Sequence, residues 1–394
     1  MNKNFIYFPS LSSGASASWL LKNEYLTETV SSRFYDKEHT PPQFYHPYFL
    51  LSAGHNYKEF ELRKKYGLED SFVIGDSGGY QIATGAIKWE KSVRETIFKW
   101  LENNSDIALN LDIPPRKEYD GKFQECFDIS LDNFKYFEQN QSGKTKFLTV
   151  LQGNSLEQYK FWYNAVKDFE FGGLAIGGCM HNLGRLIMVF AMLLEEKELE
   201  KKRNNYIHIL GMSGLNDFLV IEMIQKFLNK KFGNKLQLST DSSSPNLATV
   251  FGQYYYDVNW DKYSFKSLHI HRELNDEIEL ACKFHSCPAC EGRTYKDFQE
   301  WKTKDYMHMT HHNMFVYITA VKQIYSLIDS PKDVLKDLLP NDYYNLYNII
   351  EQIFESDSPL ATYKKYVNQI EKVTRLTYAI ETTDSKKINN LFKF

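Results

Sequence analysis

The sequence predicts an α/β chain closed into a (β/α)8 barrel, and three observations carry the prediction. Short apolar runs alternate with amphipathic stretches over roughly 240 residues, the size of one such barrel. The runs are continuously apolar, as strands buried on both faces require. Each run from the third onward ends in an aspartate, a Gln-Gly pair or a glycine-containing turn, and a barrel opens all these ends onto one face.

In chain order the runs are 5–8, 49–51, 72–74, 107–111, 147–151, 173–176, 207–210 and 236–239. Helical stretches at 89–101, 155–169, 183–194 and 217–228 lie between the later ones. No glycine-rich dinucleotide fingerprint follows the first run, which argues against a doubly wound open sheet. The chain divides into a barrel with an atypical N-terminal segment (1–280), a metal-binding segment (281–320) and a helical tail (321–394). Around and within that tail, 317–328, 342–354 and 360–378 carry aromatic and aliphatic residues at helical spacing. Packing on the barrel is their expected use, and a homodimer contact is the alternative.

A hydrophobic content of 43% and an aromatic content of 15% over 394 residues suffice for a large core. The formal net charge is -3, so no global field draws the chain onto nucleic acid. Any such contact must use a local basic patch. The candidates are Lys201-Lys202-Arg203, Lys230-Lys231 and the group Arg293, Lys296, Lys302 and Lys304, for which a solvated face is the competing explanation. The apolar stretch ending at Pro9 is too short for a signal peptide, and no run approaches membrane-spanning length. Five cysteines, scattered except for a late cluster, point to a reduced, cytoplasmic protein.

The most informative stretch is Asp76-Ser77-Gly78-Gly79-Tyr80-Gln81, directly after the third run. Locally, Asp76 reads as a helix cap and the glycines as a tight turn. The other strand ends change that reading. Asp112 follows the fourth run, Gln152-Gly153 the fifth, Gly177-Gly178 the sixth, Gly211-Met212 the seventh and Asp241 the eighth. On one barrel face these become three carboxylates, an amide and several glycines able to approach a flat ligand closely.

These residues resemble the tRNA-guanine transglycosylase family. The family's Asp-Ser-Gly-Gly-aromatic-Gln motif is matched by Asp76 to Gln81, and its base-binding aspartate by Leu111-Asp112. Its Gln-Gly is matched by Gln152-Gly153, and its Ala-Ile-Gly-Gly by Ala175-Ile176-Gly177-Gly178. Its glycine turn is similar to Leu210-Gly211-Met212. Its nucleophilic aspartate, with a proline four residues on, is matched by Asp241 and Pro245. The resemblance covers residues 45–320. The family also holds a structural zinc through Cys-x-Cys-x2-Cys and a helical histidine. Here His285 takes the first cysteine position, with Cys287, Cys290 and His312 completing a normal tetrahedral donor set. Cys282 is the alternative to His285. His312, which precedes Asn313 as in the family, is preferred to His311. A CxxC turn with unrelated histidines is the competing explanation.

The resemblance implies a pentosyltransferase that exchanges guanine in a nucleic acid for a 7-deazaguanine base. Asp241 would be the nucleophile and Asp76 the general acid/base. Asp112 would accept from the N1–H and amino edge of the base. Gln152 and the N–H groups of Gly177 and Gly178 would bind its carbonyl side. Ser77 and Met212 would also line the base site, and Tyr80 would form a stacking wall. Two departures from the family bear on specificity. Cys179-Met180-His181-Asn182 carries no carboxylate for a cationic substituent, which favours a neutral, preQ0-like base with a nitrile. Leu247 stands where the family has an arginine near the nucleic acid. Together with the unusual N-terminus, this favours the DNA-modifying branch, in a bacterial cell or phage-infected host. A tRNA acceptor, with queuosine- or archaeosine-type modification, is the alternative, and a non-catalytic nucleic-acid-binding subunit is a further one. A metal-dependent hydrolase would need histidines clustered at the strand ends, which the sequence does not place there.

Overall fold

The computed structural model describes residues 3–10, 34–38, 40, 42, 44–115, 121–270, 287, 289–290 and 303–389. Eight strands run in parallel around a barrel: β1 (Ile6–Pro9), β2 (Tyr48–Ser52), β3 (Phe72–Asp76), β4 (Ile107–Leu109), β5 (Lys146–Leu151), β6 (Leu174–Ile176), β7 (Tyr206–Ile209) and β8 (Gln237–Ser242). From β2 to β8 each strand pairs with its sequence neighbour, and β1 pairs with β8 so that Phe8 lies opposite Asp241. The seam between β1 and β2 is joined by a single parallel bridge, Ser10 to Leu50, which leaves the barrel nearly closed. Most of the expected atypical N-terminal segment, 11–33, lies outside the described residues.

Two strand ends differ from the sequence reading. The fourth run was expected to reach residue 111, yet β4 stops at Leu109. Side chains of α2 (Phe123–Asn140) take over the backbone beyond it. Asn133 donates to the Leu111 carbonyl at 3.0 Å, and the Ile113 N–H donates to Ser130 Oγ at 2.9 Å. Conversely, the eighth run extends to Ser242, so Asp241 sits within the strand rather than after it, held by the ladder to β1.

Helices cover the barrel: α1 (Lys91–Asn104), α2, α3 (Leu156–Val166), α4 (Leu183–Glu195) and α5 (Leu215–Phe232). Ser155 caps α3 through its hydroxyl, and Asn182 caps α4 by accepting from the Arg185 N–H at 2.8 Å. At the other end of α5, Gly233 at φ 65° supplies the left-handed C-cap. Helix α4 is apolar almost all round, because a tail helix covers its outer face.

After β8 come a short helix, α6 (Ser244–Val250), and an antiparallel hairpin, β9 (Gln253–Asn259) with β10 (Ser264–His269), outside the barrel sheet. Four helices follow: α7 (Thr303–Asp329), α8 (Lys332–Leu338), α9 (Asn341–Glu355) and α10 (Pro359–Asn389). Tyr255, Phe265 and Tyr317 stack in sequence with ring centroids 4.6 Å apart, fixing the hairpin on α7. Thr374 of α10 accepts from the Gly184 N–H at the start of α4, and Lys226 of α5 donates to the Ile328 carbonyl. Among the described residues, no helix is long and apolar enough to cross a membrane.

Candidate active site

Asp76 closes β3 and accepts a 2.6 Å hydrogen bond from Ser52, its register partner on β2. The Gly78 N–H donates to its other oxygen at 3.3 Å. Burial pushes the Asp76 carboxyl up, the nearby Asp241 charge adds to this, and the two hydrogen bonds oppose it. The turn that follows requires its glycines. Gly78 has φ +81°, and a Cβ there would lie 2.4 Å from Gly54 Cα. A Cβ on Gly79 would lie 1.8 Å from the Asp112 carbonyl oxygen, so the turn packs directly on the neighbouring strand end. Ser77 is buried and donates to the Asn110 carbonyl at 3.2 Å. Tyr80 is 49% exposed and stands at the rim.

Asp112 and Gln152 are both buried, and the Gln152 amide donates to Asp112 Oδ2 at 2.8 Å. Burial pushes the Asp112 carboxyl up to about 7, against the Gln152 hydrogen bond and with the help of the Asp76 charge. One amide hydrogen of Gln152 is left for a ligand. Gly177 leaves no room beyond that amide, since a Cβ there would lie 2.2 Å from Gln152 Nε2. The expectation that the Gly177 and Gly178 N–H groups both face a ligand meets an obstacle. The Gly177 N–H already donates to the Leu151 carbonyl at 2.9 Å, within the sheet.

The raised Asp112 pKa has a consequence for stability. A carboxyl whose pKa is higher folded than unfolded destabilises the fold as pH rises from the unfolded value, near 3.9, through the folded value. The cost is complete above pH 7. Asp112→Asn keeps an acceptor for Gln152 without the charge. Thermal unfolding at pH 8 is expected to show this variant more stable by about 1–3 kcal/mol, with the gap closing near pH 4. An unchanged melting temperature at pH 8 would count against a strained Asp112.

Asp241 points into the barrel mouth, its side chain 17% exposed. Its Oδ1 accepts from the Gly211 N–H at 2.9 Å and lies 3.2 Å from His208 Nε2. Among the described residues no hydrogen bond reaches its Oδ2. His208 is fully buried on β7, and its Nδ1 lies 2.8 Å from Ser239 Oγ. Met212 is also fully buried, and its carbonyl accepts from Thr240 Oγ1 at 2.9 Å. The three carboxylates, Gln152 and the glycine turns thus share one barrel end, close enough for Asp76 to feel Asp241 and Asp112 to feel Asp76.

The sequence reading missed Ser52, His208 and Ser239. The available signal was weak: His208 is the one polar residue in the run Ile207-His208-Ile209-Leu210, and Ser239 sits two residues before Asp241 on the same strand face. The basic segments offered as phosphate candidates, with a solvated face as the other explanation, are in part used internally. Lys201 and Arg203 lie against the buried Glu198, at 2.5 and 3.7 Å. Lys230 pairs with Glu351 and Glu355, and Lys231 donates to the Phe354 carbonyl. Arg293, Lys296 and Lys302, with the side chain of Lys304, lie outside the described residues.

A second cluster forms where the hairpin meets α7. The ligand atoms of Cys287, Cys290 and His312 all lie within 4.8 Å of one another, close enough to bind a metal ion. His312 Nδ1 is 2.8 Å from Cys290 Sγ and 3.3 Å from Cys287 Sγ. Its Nε2 contacts the Tyr255 carbonyl, which fixes the proton there and frees Nδ1 as a donor to metal. The Tyr254 ring stacks on the imidazole at 3.9 Å with an interplanar angle of 4°, and its hydroxyl lies 3.1 Å from Cys290 Sγ. His311 takes no part in the group. It is buried edge-on to Phe44, and burial pushes its imidazole down to about 3. His285 and Cys282, the two candidates for a fourth ligand, lie outside the described residues.

No protein-family model matches the chain, and no curated protein matches it either.

Proposed function

We propose that the protein is a base-exchange pentosyltransferase of the tRNA-guanine transglycosylase type, replacing guanine in a nucleic acid with a 7-deazaguanine. The observation that carries this reading is the Asp241 carboxylate: two donors reach one oxygen, no hydrogen bond among the described residues reaches the other, and a second acid with a raised pKa stands nearby. Cleaving an N-glycosidic bond develops positive charge at C1′, and a carboxylate can capture that centre. Two successive displacements would give net retention, as in retaining glycosidases. Asp76, inclined to hold a proton, would protonate the departing guanine and then take a proton from the incoming base.

Asp112 would supply selectivity. It receives hydrogen bonds from Gln152 and from its own N–H, and burial still raises its pKa. The N1–H and amino group of guanine would add the donors that let it ionise. A base without that edge would leave a buried acceptor unpaired, at a cost of about 1–3 kcal/mol. Gln152 and the Gly178 N–H would meet the carbonyl side, and Ser77 and Met212 would support the floor. Tyr80, exposed at the rim, would stack on a base drawn out of its helix.

The metal of the Cys287, Cys290 and His312 group would be zinc, which suits thiolate and imidazole donors. Bound there it would brace the hairpin against α7, and no chemical step passes through it. A neutral 7-substituent such as a nitrile fits the absence of a carboxylate in residues 179–182. DNA is the favoured acceptor because Leu247, 44% exposed on α6 just past Asp241, stands where the tRNA-modifying family has an arginine, so that family's polynucleotide contact is not reproduced here.

Labelled guanine incubated separately with duplex DNA, single-stranded DNA and tRNA tests the reading. Incorporation into DNA is expected. Incorporation into tRNA alone would move the acceptor to tRNA, and none into any polymer would sink the proposal.

A further inference from the structure

We infer that His208 and Ser239 form a positioning pair that locks the Asp241 carboxylate, holding Oδ1 and presenting Oδ2 to the reacting sugar. The inference rests on the reading of Asp241 as nucleophile. A carboxylate in water rotates about its last bond and offers either oxygen. Here two donors three residues apart in the chain meet one oxygen: the Gly211 N–H from the turn after β7 and His208 Nε2 from within that strand. Both can be satisfied together only in one orientation of the group.

The proton arrangement follows from the partners. A carboxylate only accepts, so Nε2 of His208 carries the hydrogen and donates to Asp241. Nδ1 is then the acceptor and takes the Ser239 hydroxyl hydrogen across 2.8 Å. Ser239 and Asp241 alternate with Thr240 along β8, so both side chains point into the barrel and one imidazole spans them. Register places His208 opposite Ser239, and Phe8 meets the ring at a 6.2 Å centroid distance and 77°. His208 is fully buried, so water does not compete for either nitrogen.

In the first displacement a C1′–Oδ2 bond forms as the bond from C1′ to the guanine nitrogen breaks, and Asp76 delivers the proton to guanine. Oδ1 becomes the carbonyl oxygen of a glycosyl ester. In the second displacement the incoming base attacks C1′, its proton passes to Asp76, and the ester returns to a carboxylate. Negative charge then flows back onto the oxygen that the two donors hold. Such donors, fixed in place before charge develops, are characteristic aids to charge-separating steps.

His208→Leu removes the donor, and His208→Gln returns an N–H to roughly the same reach. The leucine variant is expected to lose about 10²–10³-fold in kcat, the effect of deleting one preorganised donor. KM for the base should change by no more than about threefold, because Asp112 and Gln152 remain. The glutamine variant should recover at least about tenfold of that loss. A readout without substrate stands beside it: ¹⁵N NMR of His208 in the free wild-type protein should show the Nε2–H tautomer. Wild-type kcat in the leucine variant, or an Nδ1–H tautomer, overturns the inference. If the wild-type protein exchanges no base, the functional reading fails alone, and the tautomer still decides the positioning pair.

Discussion

Asp241→Asn is expected to abolish the proposed base exchange, with kcat falling by about 10⁴-fold or more, the scale of losing a covalent nucleophile. The substitution is nearly isosteric. Its amide oxygen can still accept from the Gly211 N–H and His208 Nε2, so the strand and the turn keep their contacts. What disappears is the anion that attacks C1′. The melting temperature should therefore stay within a few degrees of wild type. The second measurement is a trap: wild-type protein quenched in denaturant with its acceptor polymer should carry a covalent adduct on a denaturing gel, and the variant none. Retained guanine exchange in Asp241→Asn would end the assignment of the nucleophile. Asp76 would then become the leading candidate, since it is the other acid in the mouth with an oxygen near a glycine turn.

Removing a metal held by the Cys287, Cys290 and His312 group, as proposed, is expected to have the second largest effect, this time on the fold. Ions held by thiolate and imidazole in small structural sites contribute apparent binding free energies of about 10–16 kcal/mol. Here the ligands come from two separate pieces of chain, so that energy joins the region around Cys287 and Cys290 to α7. The effect should reach the catalytic end. Asn313, next to His312, accepts from the Tyr255 N–H and donates to the Gln253 carbonyl and to Thr249 Oγ1. Thr249 lies on α6, the helix that starts three residues after Asp241. Loss of the ion should thus loosen the hairpin, then α6, then the wall beside the nucleophile. Plasma emission should find one zinc per chain. A strong chelator should lower the melting temperature by ten degrees or more and reduce exchange, while a Cys287→Ser/Cys290→Ser double variant should start low and ignore chelator. Metal-free protein with unchanged melting behaviour would remove the cluster from the account of stability.

The barrel was legible because buried parallel strands write themselves as short continuous apolar runs, and runs such as 147–151 and 207–210 overlap β5 and β7 closely. The carboxylates at the strand ends were legible for the same reason, since strand C-termini in a barrel share a face. What was hidden depends on register. Nothing local in Tyr48-Phe49-Leu50-Leu51-Ser52 says that Ser52 will stand beside Asp76, nor does Ile207-His208-Ile209 announce a contact with Asp241. Such pairings arise only once the strands are aligned. The hairpin Gln253–Asn259 and Ser264–His269 was missed because its aromatic-rich strands carry no buried apolar run; most of their residues remain partly exposed. The ion pairs of Lys201, Arg203 and Lys230 with Glu198 and Glu351 were not read from the sequence, where these cations were open to a phosphate contact or a solvated face.

The pairing of β1 with β8 also ties the strand that carries Asp241 to the far end of the barrel sequence. Phe8 and Asp241 face each other across the ladder that joins the first strand to the last, and nearly the whole barrel sequence lies between them. Contacts of such long range form late, because the loop they close carries a large entropic cost until the intervening strands have condensed. The β1–β8 ladder is therefore expected to form after the pairings between sequence neighbours, although His208 and Gly211, which hold the Asp241 carboxylate, lie on the neighbouring strand β7 and the turn after it.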